Sequence, residues 1–300
     1  MSLSPKYLTL LENGELLKTV EAANKHITNC NLCPHQCGVN REKEVGVCKA
    51  GDKAIVSSYG PHIGEERVLV GQQGSGTIFF GYCNLSCVYC QNYDISAYGK
   101  GKVVSNEQLA DMMLVLQNNY GCHNINLVTP THFVANILEA VYIAAQKGLR
   151  LPIVYNCGGY ECIETLRLLE DIVGIYMPDF KYASDERGKK YSKVTDYAKR
   201  AKEALREMDR QVGGLKVDAN NIAYRGLLIR HLMLPDGLDD TKKVLEFIHN
   251  ELSPNVLVTL MEQYYPSNKA FESKELSRRL DRMEYEEAYR YGNALGLRLV

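Results

Sequence analysis

The chain has 300 residues with a net charge of −1, and its 24% charged and 45% hydrophobic residues suit a soluble globular protein of one large or two modest domains. The near-neutral charge gives no indication of nucleic-acid binding, which usually needs a basic surface, and no apolar run approaches the ~20 residues of a membrane span. Residues 1–18 lack the charged-then-apolar layout of a signal peptide, so we expect a cytoplasmic protein that binds neither nucleic acid nor membrane.

Four cysteines lie close together near the N-terminus, in the stretch CNLCPHQCGVNREKEVGVC. They are Cys30, Cys33, Cys37 and Cys48. A reducing compartment disfavours disulfides, so cysteines with short spacings indicate metal binding rather than a disulfide framework. Four thiolates can close a zinc site or hold a 4Fe–4S cluster, and the spacing does not separate the two. We expect this site to be structural or an electron relay, the alternative being four unrelated buried thiols.

The N-terminal part of the chain differs in texture from the rest. Residues 1–73 are predicted to form an N-terminal extension that carries the four-cysteine site and packs on a larger unit, residues 74–300. Within the extension, KAIVSSYGPHIGEERVLVG (53–71) is rich in β-forming residues. The glycine-rich sequence GQQGSG (71–76) is the expected joint between the two units.

From residue 77 onward, short apolar runs alternate with amphipathic stretches. The runs are nearly continuously apolar, as expected for strands that are covered on both faces. They are TIFFGYC (77–83), INLVTP (125–130), PIVYNC (152–157), GIYMPDF (174–180), GLLIRHLML (226–234) and NVLVTLMEQYY (255–265). Six β–α units in sequence predict a parallel sheet with right-handed crossovers.

The stretches between the runs carry helix signals. Ser105 followed by Gln108 is a capping-box pattern, and Asp239 and Asp240 place negative charge at the start of another helix. A charged helix with an apolar stripe is predicted from Ser277 to about Leu295.

Polar residues collect at the carboxyl ends of the apolar runs, which is where parallel α/β folds bind ligands. These residues are Cys83, Thr129, Asn156, Cys157, Asp179, Arg230, His231 and Gln263. Six units could form an open doubly wound sheet or most of a barrel. Because the polar residues are spread over all six strand ends, a barrel-like cup is favoured over a single crevice.

Three cysteines follow the first of these runs, in GYCNLSCVYCQNY (81–93). Cys83, Cys87 and Cys90 have the spacing C-x3-C-x2-C, and three thiolates do not complete the four-ligand shell of a structural zinc or iron–sulfur site. Either a distant cysteine closes the site, or one position is left open for a ligand. The location at a strand's carboxyl end favours the open, functional site.

This motif, with Tyr89 before its last cysteine, resembles the cluster-binding loop of radical S-adenosylmethionine (SAM) enzymes. The resemblance implies that Cys83, Cys87 and Cys90 hold a 4Fe–4S cluster whose open iron binds SAM. Reduction then cleaves SAM to methionine and a 5′-deoxyadenosyl radical, which abstracts hydrogen from a substrate. It also implies an α/β fold, a partial (βα)6 TIM-like barrel with, here, a cysteine-rich N-terminal extension.

Within that superfamily, GSGTIFFGYCNLSCVYCQN resembles the pyruvate formate-lyase activating enzymes, which install glycyl radicals. The chain is more closely similar to an uncharacterised activase-like branch. That branch has an N-terminal C-x2-CPH-x-C segment, a stretch like HIGEE (62–66) and LVTPTHF after the second strand. The resemblance covers about residues 25–270. It implies a glycyl-radical enzyme or a peptide as substrate and a flavodoxin- or ferredoxin-type electron donor.

The resemblance also assigns cofactor contacts. It places Tyr89 at the adenine of SAM, and Asn156, Asp179, Lys181 and Arg230 at strand ends that help bind SAM. The family's Gly-Gly-Glu is replaced by VTPTH (128–132), so Thr129 or Thr131 is expected to contact the SAM amino group. Gln91 stands where the activases usually have a histidine after the third cysteine.

Several of these residues also have a purely structural interpretation. Asp179 and Lys181 could form a surface ion pair, and Arg230 could bind helix carbonyls. Cys157 could be a small core residue. Two further groups are expected at the site on weaker grounds, namely the ionisable cluster His62, Glu65 and Glu66, and His132 at the start of a helix.

The sequence thus predicts a radical SAM oxidoreductase, activating-enzyme-like. One alternative is a radical SAM enzyme that modifies a small molecule or another peptide. The other is a non-catalytic iron–sulfur or zinc protein that transfers electrons or acts as a scaffold.

Overall fold

The structure is a computed structural model that describes residues 4–300. The strands are β1 Ala54–His62, β2 Ser75–Phe80, β3 Lys102–Val104, β4 Ile125–Val128, β5 Ile153–Cys157, β6 Val173–Pro178, β7 Lys216–Val217, β8 Ala223–Leu232, β9 Leu257–Met261 and β10 Arg298–Leu299. The helices are α1 Tyr7–Glu12, α2 Glu15–Asn24, α3 Arg67–Val70, α4 Tyr93–Ser96, α5 Asn106–Asn118, α6 Val134–Gln146, α7 Ile163–Leu168, α8 Asp185–Arg187, α9 Tyr197–Val212, α10 Leu238–Glu251 and α11 Arg282–Ala294. Short 3-10 turns cover Thr131–Phe133 and Ala270–Glu272, and a π turn covers Gly188–Ser192.

All six predicted apolar runs are neighbouring strands of one sheet. Their order is β2, β4, β5, β6, β8 and β9, and each adjacent pair is parallel. Helices connect most of them, as right-handed β–α crossovers require. Within the described residues the outer strands β10 and β3 do not pair with each other, so the barrel stays open. The predicted α/β partial (βα)6 barrel is confirmed.

The N-terminal segment joins this sheet instead of only packing on it. Strand β1 pairs antiparallel with β2, matching Gly60 to Thr77, and β3 pairs antiparallel with β1. The half-buried pattern of β1 is typical of an antiparallel strand with one solvated face. Backbone hydrogen bonds therefore link the cysteine-bearing segment to the first barrel strand. The boundary at residue 73 stays a prediction.

Local sequence signals fix where two of the outer helices begin. Ser105 caps α5 with both capping-box bonds, because the Gln108 N–H donates to Ser105 Oγ and the Ser105 N–H donates to Gln108 Oε1. Helix α11 begins later than predicted, since the cap is Asp281. None of the helices in residues 4–300 combines the length and apolar composition that crossing a membrane requires.

The barrel interior is plugged by apolar side chains below its carboxyl end. Val154, Ile175, Leu228 and Leu257 belong to one buried cluster. Side chains two residues apart on a strand share a face, so Asn156 lies on the same face as Val154 and Arg230 on the same face as Leu228. The polar residues of the rim thus stand on a dry, packed floor.

We predict that Gly226→Ala lowers the free energy of unfolding of the metal-free protein by about 2–3 kcal/mol. Gly226 has φ +130°, and a Cβ there would lie 2.5 Å from Leu215 Cα and 2.6 Å from the Gly214 carbonyl oxygen. Urea unfolding followed by circular dichroism measures the loss. The control is Gly148→Ala, at φ +103° with nothing within 4 Å, which should cost only about 1 kcal/mol. Equal losses in the two variants would contradict the steric explanation.

Candidate active site

Three strand ends are joined by one charged network at the mouth of the barrel. The Arg230 guanidinium donates from Nε to Asp179 Oδ1 at 2.9 Å and from Nη2 to Asn156 Oδ1 at 2.8 Å. Lys181 Nζ donates to the other Asp179 oxygen at 2.7 Å. These contacts bring together four of the sequence-predicted cofactor residues, from the ends of β5, β6 and β8.

The network is largely buried, so Asp179 and Lys181 do not form a surface ion pair. The side chains of Asp179, Lys181 and Arg230 are only 17–20% exposed. Burial by itself would raise the pKa of Asp179, but the charges of Arg230 and Lys181 outweigh it and hold the pKa at about 2. Asp179 is therefore an anion held between two cations, and the Arg230 side chain does not cap a helix.

Cys83, Cys87 and Cys90 lie in the loop after β2 and line a cavity of about 150 Å³. Thr129, Asn156, Cys157, Asp179, Lys181 and Arg230 line the same cavity. The cysteine motif and the charged network therefore form one site, as the sequence predicted from their strand ends.

Each of the three sulfurs has a polar neighbour. The Leu85 N–H donates to Cys83 Sγ at 3.3 Å, Ser192 Oγ lies 3.0 Å from Cys87 Sγ, and Ser96 Oγ lies 3.1 Å from Cys90 Sγ. Amide and hydroxyl donors of this kind stabilise thiolates bound to an iron–sulfur cluster.

Charge at the three-cysteine loop is consistent with metal-bound thiolates. Burial raises the pKa of the Cys87 thiol, and the Lys181 cation acts against that rise. Burial also raises the pKa of Cys83. Without a bound cation these groups remain protonated, so a positively charged cluster supplies what the thiolates need. The residues present fit a three-cysteine 4Fe–4S site.

Tyr89 lies beside the cysteines, in a second cavity of about 280 Å³. It is 5% exposed, and the Tyr182 hydroxyl donates to its hydroxyl at 2.7 Å. Cys87, Cys90, Gln91, Asp179, Lys181, Arg230, Leu232, Met261 and Gln263 also line this cavity. An aromatic and apolar wall next to a charged one suits a ligand with a flat ring and a charged tail.

The two threonines predicted to contact SAM have different environments. Thr129 has φ +60° and lines the cavity with the cysteines. Thr131 is fully buried, and its hydroxyl donates to Glu161 Oε1 at 2.7 Å. His132 is 1% exposed, and its Nε2 lies 2.9 Å from the Gly81 carbonyl oxygen. The His132 ring packs against backbone and the hydroxyl of Thr131 is already bonded to Glu161, so a site role for either residue stays a prediction.

The N-terminal segment reaches the charged network through Glu65. Its carboxylate lies 3.6 Å from Arg230 Nη1, and its side chain is only 8% exposed. Glu65, Glu66 and His62 line a third cavity, of about 440 Å³, together with Asn156 and Arg230. Burial raises the pKa of Glu65 to about 7 against the pull of Arg230. The ionisable cluster predicted at residues 62–66 therefore does lie beside the network.

Sequence reasoning missed Glu161, which is 1% exposed. Hydroxyls of Thr131 and Tyr155 donate to its two carboxylate oxygens, at 2.7 and 3.0 Å. Burial outweighs these bonds and raises the pKa of Glu161 to about 7. It also missed Ser192, the hydroxyl at Cys87. Neither residue belongs to a motif, so only the folded chain brings them to the site.

The four N-terminal cysteines are gathered in one segment. Cys30, Cys33 and Cys48 are buried, and Cys37 is half-buried. Within residues 4–300, no three His, Cys, Asp or Glu side chains are arranged to hold a single metal ion. The metal site predicted there stays a prediction.

Comparison with known proteins places the chain in a family. Residues 77–222 match the radical SAM superfamily. A protein of Methanocaldococcus jannaschii, described as uncharacterized protein MJ0674, is 34% identical over 289 residues, which are 94% of this chain and 79% of that protein. The chain belongs to the radical SAM superfamily. This membership indicates an enzyme and implies a 4Fe–4S cluster and SAM.

Two solved structures resemble this radical SAM protein at low similarity. They are Streptococcus suis SuiB bound to precursor peptide SuiA, and native anSMEcpe with bound AdoMet. Each has a TM-score of 0.48 and 10% identity over 73% of this chain. The chain spans 46% of the first structure's length and 61% of the second's.

We predict that Glu161→Gln removes part of the pH dependence of stability. Below about pH 4.5 the Glu161 carboxyl is protonated in both the folded and the unfolded chain, so its titration does not lower the free energy of unfolding. As the pH rises towards 7, the unfolded chain releases a proton that the folded one keeps, so the free energy of unfolding falls. The loss is complete above about pH 7. At pH 8 the free energy of unfolding of the variant should exceed that of the wild type by on the order of 3 kcal/mol.

Urea unfolding between pH 4.5 and pH 8 measures this difference. Glu65, which titrates in the same range, contributes equally to both proteins and cancels. The control is Glu164→Gln, at an exposed neighbouring position, which should leave the wild-type slope unchanged. An unchanged slope in the Glu161 variant would show that this carboxyl ionises normally.

Proposed function

We propose that this protein generates a 5′-deoxyadenosyl radical from SAM at a 4Fe–4S cluster and uses it to abstract hydrogen from a substrate. The observation that carries the proposal is the single cavity shared by Cys83, Cys87, Cys90 and the Arg230 network. When bound, the cluster and SAM supply the reductive cleavage that forms the radical. The chain's own residues bind and orient both groups and exclude water from them.

The three cysteines would hold the cluster as thiolates. The Leu85 N–H and the hydroxyls of Ser96 and Ser192 would stabilise their charge, and the Lys181 cation lies near enough to add to it. Three protein thiolates leave one iron of a four-iron cluster without a protein ligand, which is where SAM would bind. Cys157 lines the same cavity and is the residue through which the site could instead be closed.

The charged network would bind the amino-acid part of SAM. Arg230 Nη1, which takes no part in the bonds to Asp179 and Asn156, suits a carboxylate, and Asp179 suits an ammonium group. Thr129, on the same cavity, would add a contact to the SAM amino group. Tyr89 would lie against the adenine, because its cavity adjoins the cysteines and shares Arg230 with theirs.

For the substrate, the resemblance to activases favours a glycine Cα–H in a partner protein, with a flavodoxin- or ferredoxin-type electron donor. The cavity of about 440 Å³ at His62, Glu65 and Glu66 opens beside the network and would admit a peptide segment. The second candidate is a small molecule or another peptide, favoured by Gln91 and by the absent Gly-Gly-Glu. A glycyl-radical enzyme encoded next to this gene would support activation, and a host lacking any such enzyme would exclude it.

We predict that the anaerobically reconstituted protein forms 5′-deoxyadenosine from SAM and dithionite, and that Cys87→Ala abolishes this. Chromatography of the products measures the yield. The matched variant is Cys157→Ala, which removes the other cysteine of the cavity and should retain both cluster and cleavage.

The same pair of variants separates the enzyme from a non-catalytic electron carrier. A closed site would lose its cluster in Cys157→Ala. It would also form no 5′-deoxyadenosine, and SAM would not alter the EPR signal of the reduced cluster. Those results together would reject the proposed function.

We predict that Arg230→Gln weakens SAM binding to the cluster-loaded protein about 10- to 100-fold, because a charge-assisted hydrogen bond is worth about 1.5–3 kcal/mol. Arg230→Lys, which keeps the charge but not the fork, should lose nearly as much. Equilibrium dialysis with labelled SAM gives the affinities. The control, Arg225→Gln, alters a partly buried arginine of the same strand that bonds the Gln211 carbonyl away from the cavity. An unaltered affinity in Arg230→Gln would remove this residue from the SAM site.

A further inference from the structure

Arg41 is a buried cation within the N-terminal cysteine segment. It is 2% exposed, its two Nη groups donate to the backbone carbonyls of His132 and Gly51, and its Nε has no hydrogen-bond partner. The guanidinium also lies 5.6 Å from the centre of the Phe133 ring. No Asp or Glu of residues 4–300 pairs with it.

A buried guanidinium without an anionic partner is costly. Carbonyl oxygens and an aromatic face satisfy some of its N–H groups, but they carry no net negative charge. The groups near it that can carry such a charge are sulfurs, because Arg41 interacts electrostatically with both Cys30 and Cys48. Thiols that bind a metal lose their protons and become anions. A bound metal centre would therefore provide the counter-charge that Arg41 lacks.

Two tight turns bring the four cysteines together. In the first, the Gly38 N–H donates to the Cys30 carbonyl and the Cys30 N–H donates to the Val39 carbonyl, both at 2.9 Å. In the second, around Cys48, the Lys49 N–H donates to the Gly46 carbonyl at 2.8 Å. Helix α7 adds a further contact, because the Thr165 hydroxyl donates to the Leu32 carbonyl at 2.8 Å.

Gly46 leaves the space between two of the sulfurs empty. A Cβ at this position would lie 3.3 Å from Cys37 Sγ and 3.5 Å from Cys48 Sγ. Any larger side chain would press on both sulfurs. The missing side chain therefore lets Cys37 and Cys48 lie close to each other at this turn.

The same segment touches the three-cysteine loop. His35 Nε2 lies 2.7 Å from the carbonyl oxygen of Asn84, the residue after Cys83. The Asn84 amide in turn donates to the Tyr160 carbonyl at 2.7 Å. Cys48 also lines a cavity of about 300 Å³ together with Cys83 and Cys87. The N-terminal cysteines are thus direct neighbours of the radical SAM site.

We propose that Cys30, Cys33, Cys37 and Cys48 bind a second metal centre as four thiolates, balanced by the buried Arg41. Zinc and a 4Fe–4S cluster both have this chemistry. Binding would require the four side chains to converge on the metal, since no three of them are arranged to hold a single ion. The centre fixes the turn that carries His35 and, through His35, supports the loop of Cys83. The proposal does not depend on radical chemistry at the other site.

The test uses the full chain with Cys83, Cys87 and Cys90 all replaced by alanine, so that metal at the radical SAM site does not contribute. Zinc, iron and sulfide are measured per chain after anaerobic purification and reconstitution. We expect about one zinc, or about four iron with matching sulfide, and the two results identify the metal. Adding Cys33→Ala should remove it, whereas adding Cys122→Ala, another buried cysteine, should not.

Arg41 is tested in the same background. Arg41→Gln should speed the loss of metal to a chelator at least about tenfold, and Arg41→Lys should restore part of the retention because it keeps the charge. Gly46→Val should lower the metal content, since its side chain enters the space between the sulfurs.

Two results would overturn the proposal. One is a folded three-alanine protein that contains neither zinc nor iron, and the other is metal that survives Cys33→Ala. Equal chelator kinetics in the three-alanine protein with and without Arg41→Gln would overturn the role of Arg41. If Cys33→Ala fails to fold, the three-alanine protein is stripped and then reloaded with each metal in turn. If neither zinc nor iron with sulfide raises the melting temperature, the site is likewise rejected.

Discussion

The pairing of Arg230 with Asp179 is the interaction on which the site depends. Both side chains are largely buried, and a buried charge must be paired, so each fixes the other. Asn156 and Lys181 add to this pair, which locks the ends of three parallel strands at one edge. The apolar plug below, with Val154 and Leu228, keeps the pair out of water and strengthens it.

A segment early in the chain also becomes part of the site, because it is tied to the barrel sheet. Strand β1 is hydrogen-bonded to the first barrel strand, which directs the following turn over the cup. Glu65 then lies against Arg230, and His35 lies against the loop of Cys83. The N-terminal segment therefore contacts the site at two points, and a truncation before β2 would remove both contacts.

Much of this arrangement could be predicted from the sequence. The six apolar runs, the capping box at Ser105 and the cysteine spacing are local signals, and each corresponds to an observed element. The sequence could not tell which of Thr129 and Thr131 lines the cavity. The left-handed backbone at Thr129 turns the chain between them, and no sequence pattern indicates that turn. Glu161 could not be found, since its partners come from strand β5 and from the 3-10 turn after β4. Contacts of this kind depend on tertiary packing, which no local pattern encodes.

A cation lies near each of the two sets of cysteines, but only one of these cations is paired with a carboxylate. Near Cys87 the cation is Lys181, and it is shared with the Asp179 carboxylate, so little net positive charge is left for the sulfurs. Near Cys30 and Cys48 the cation is Arg41, which has no carboxylate partner among the described residues. The proposed four-thiolate centre would carry more negative charge than a three-thiolate one, and the unshared guanidinium of Arg41 lies beside the larger set. At the three-cysteine loop, the remaining positive charge would have to come from what binds there. SAM, with a sulfonium and an ammonium group against one carboxylate, would bring one net positive charge.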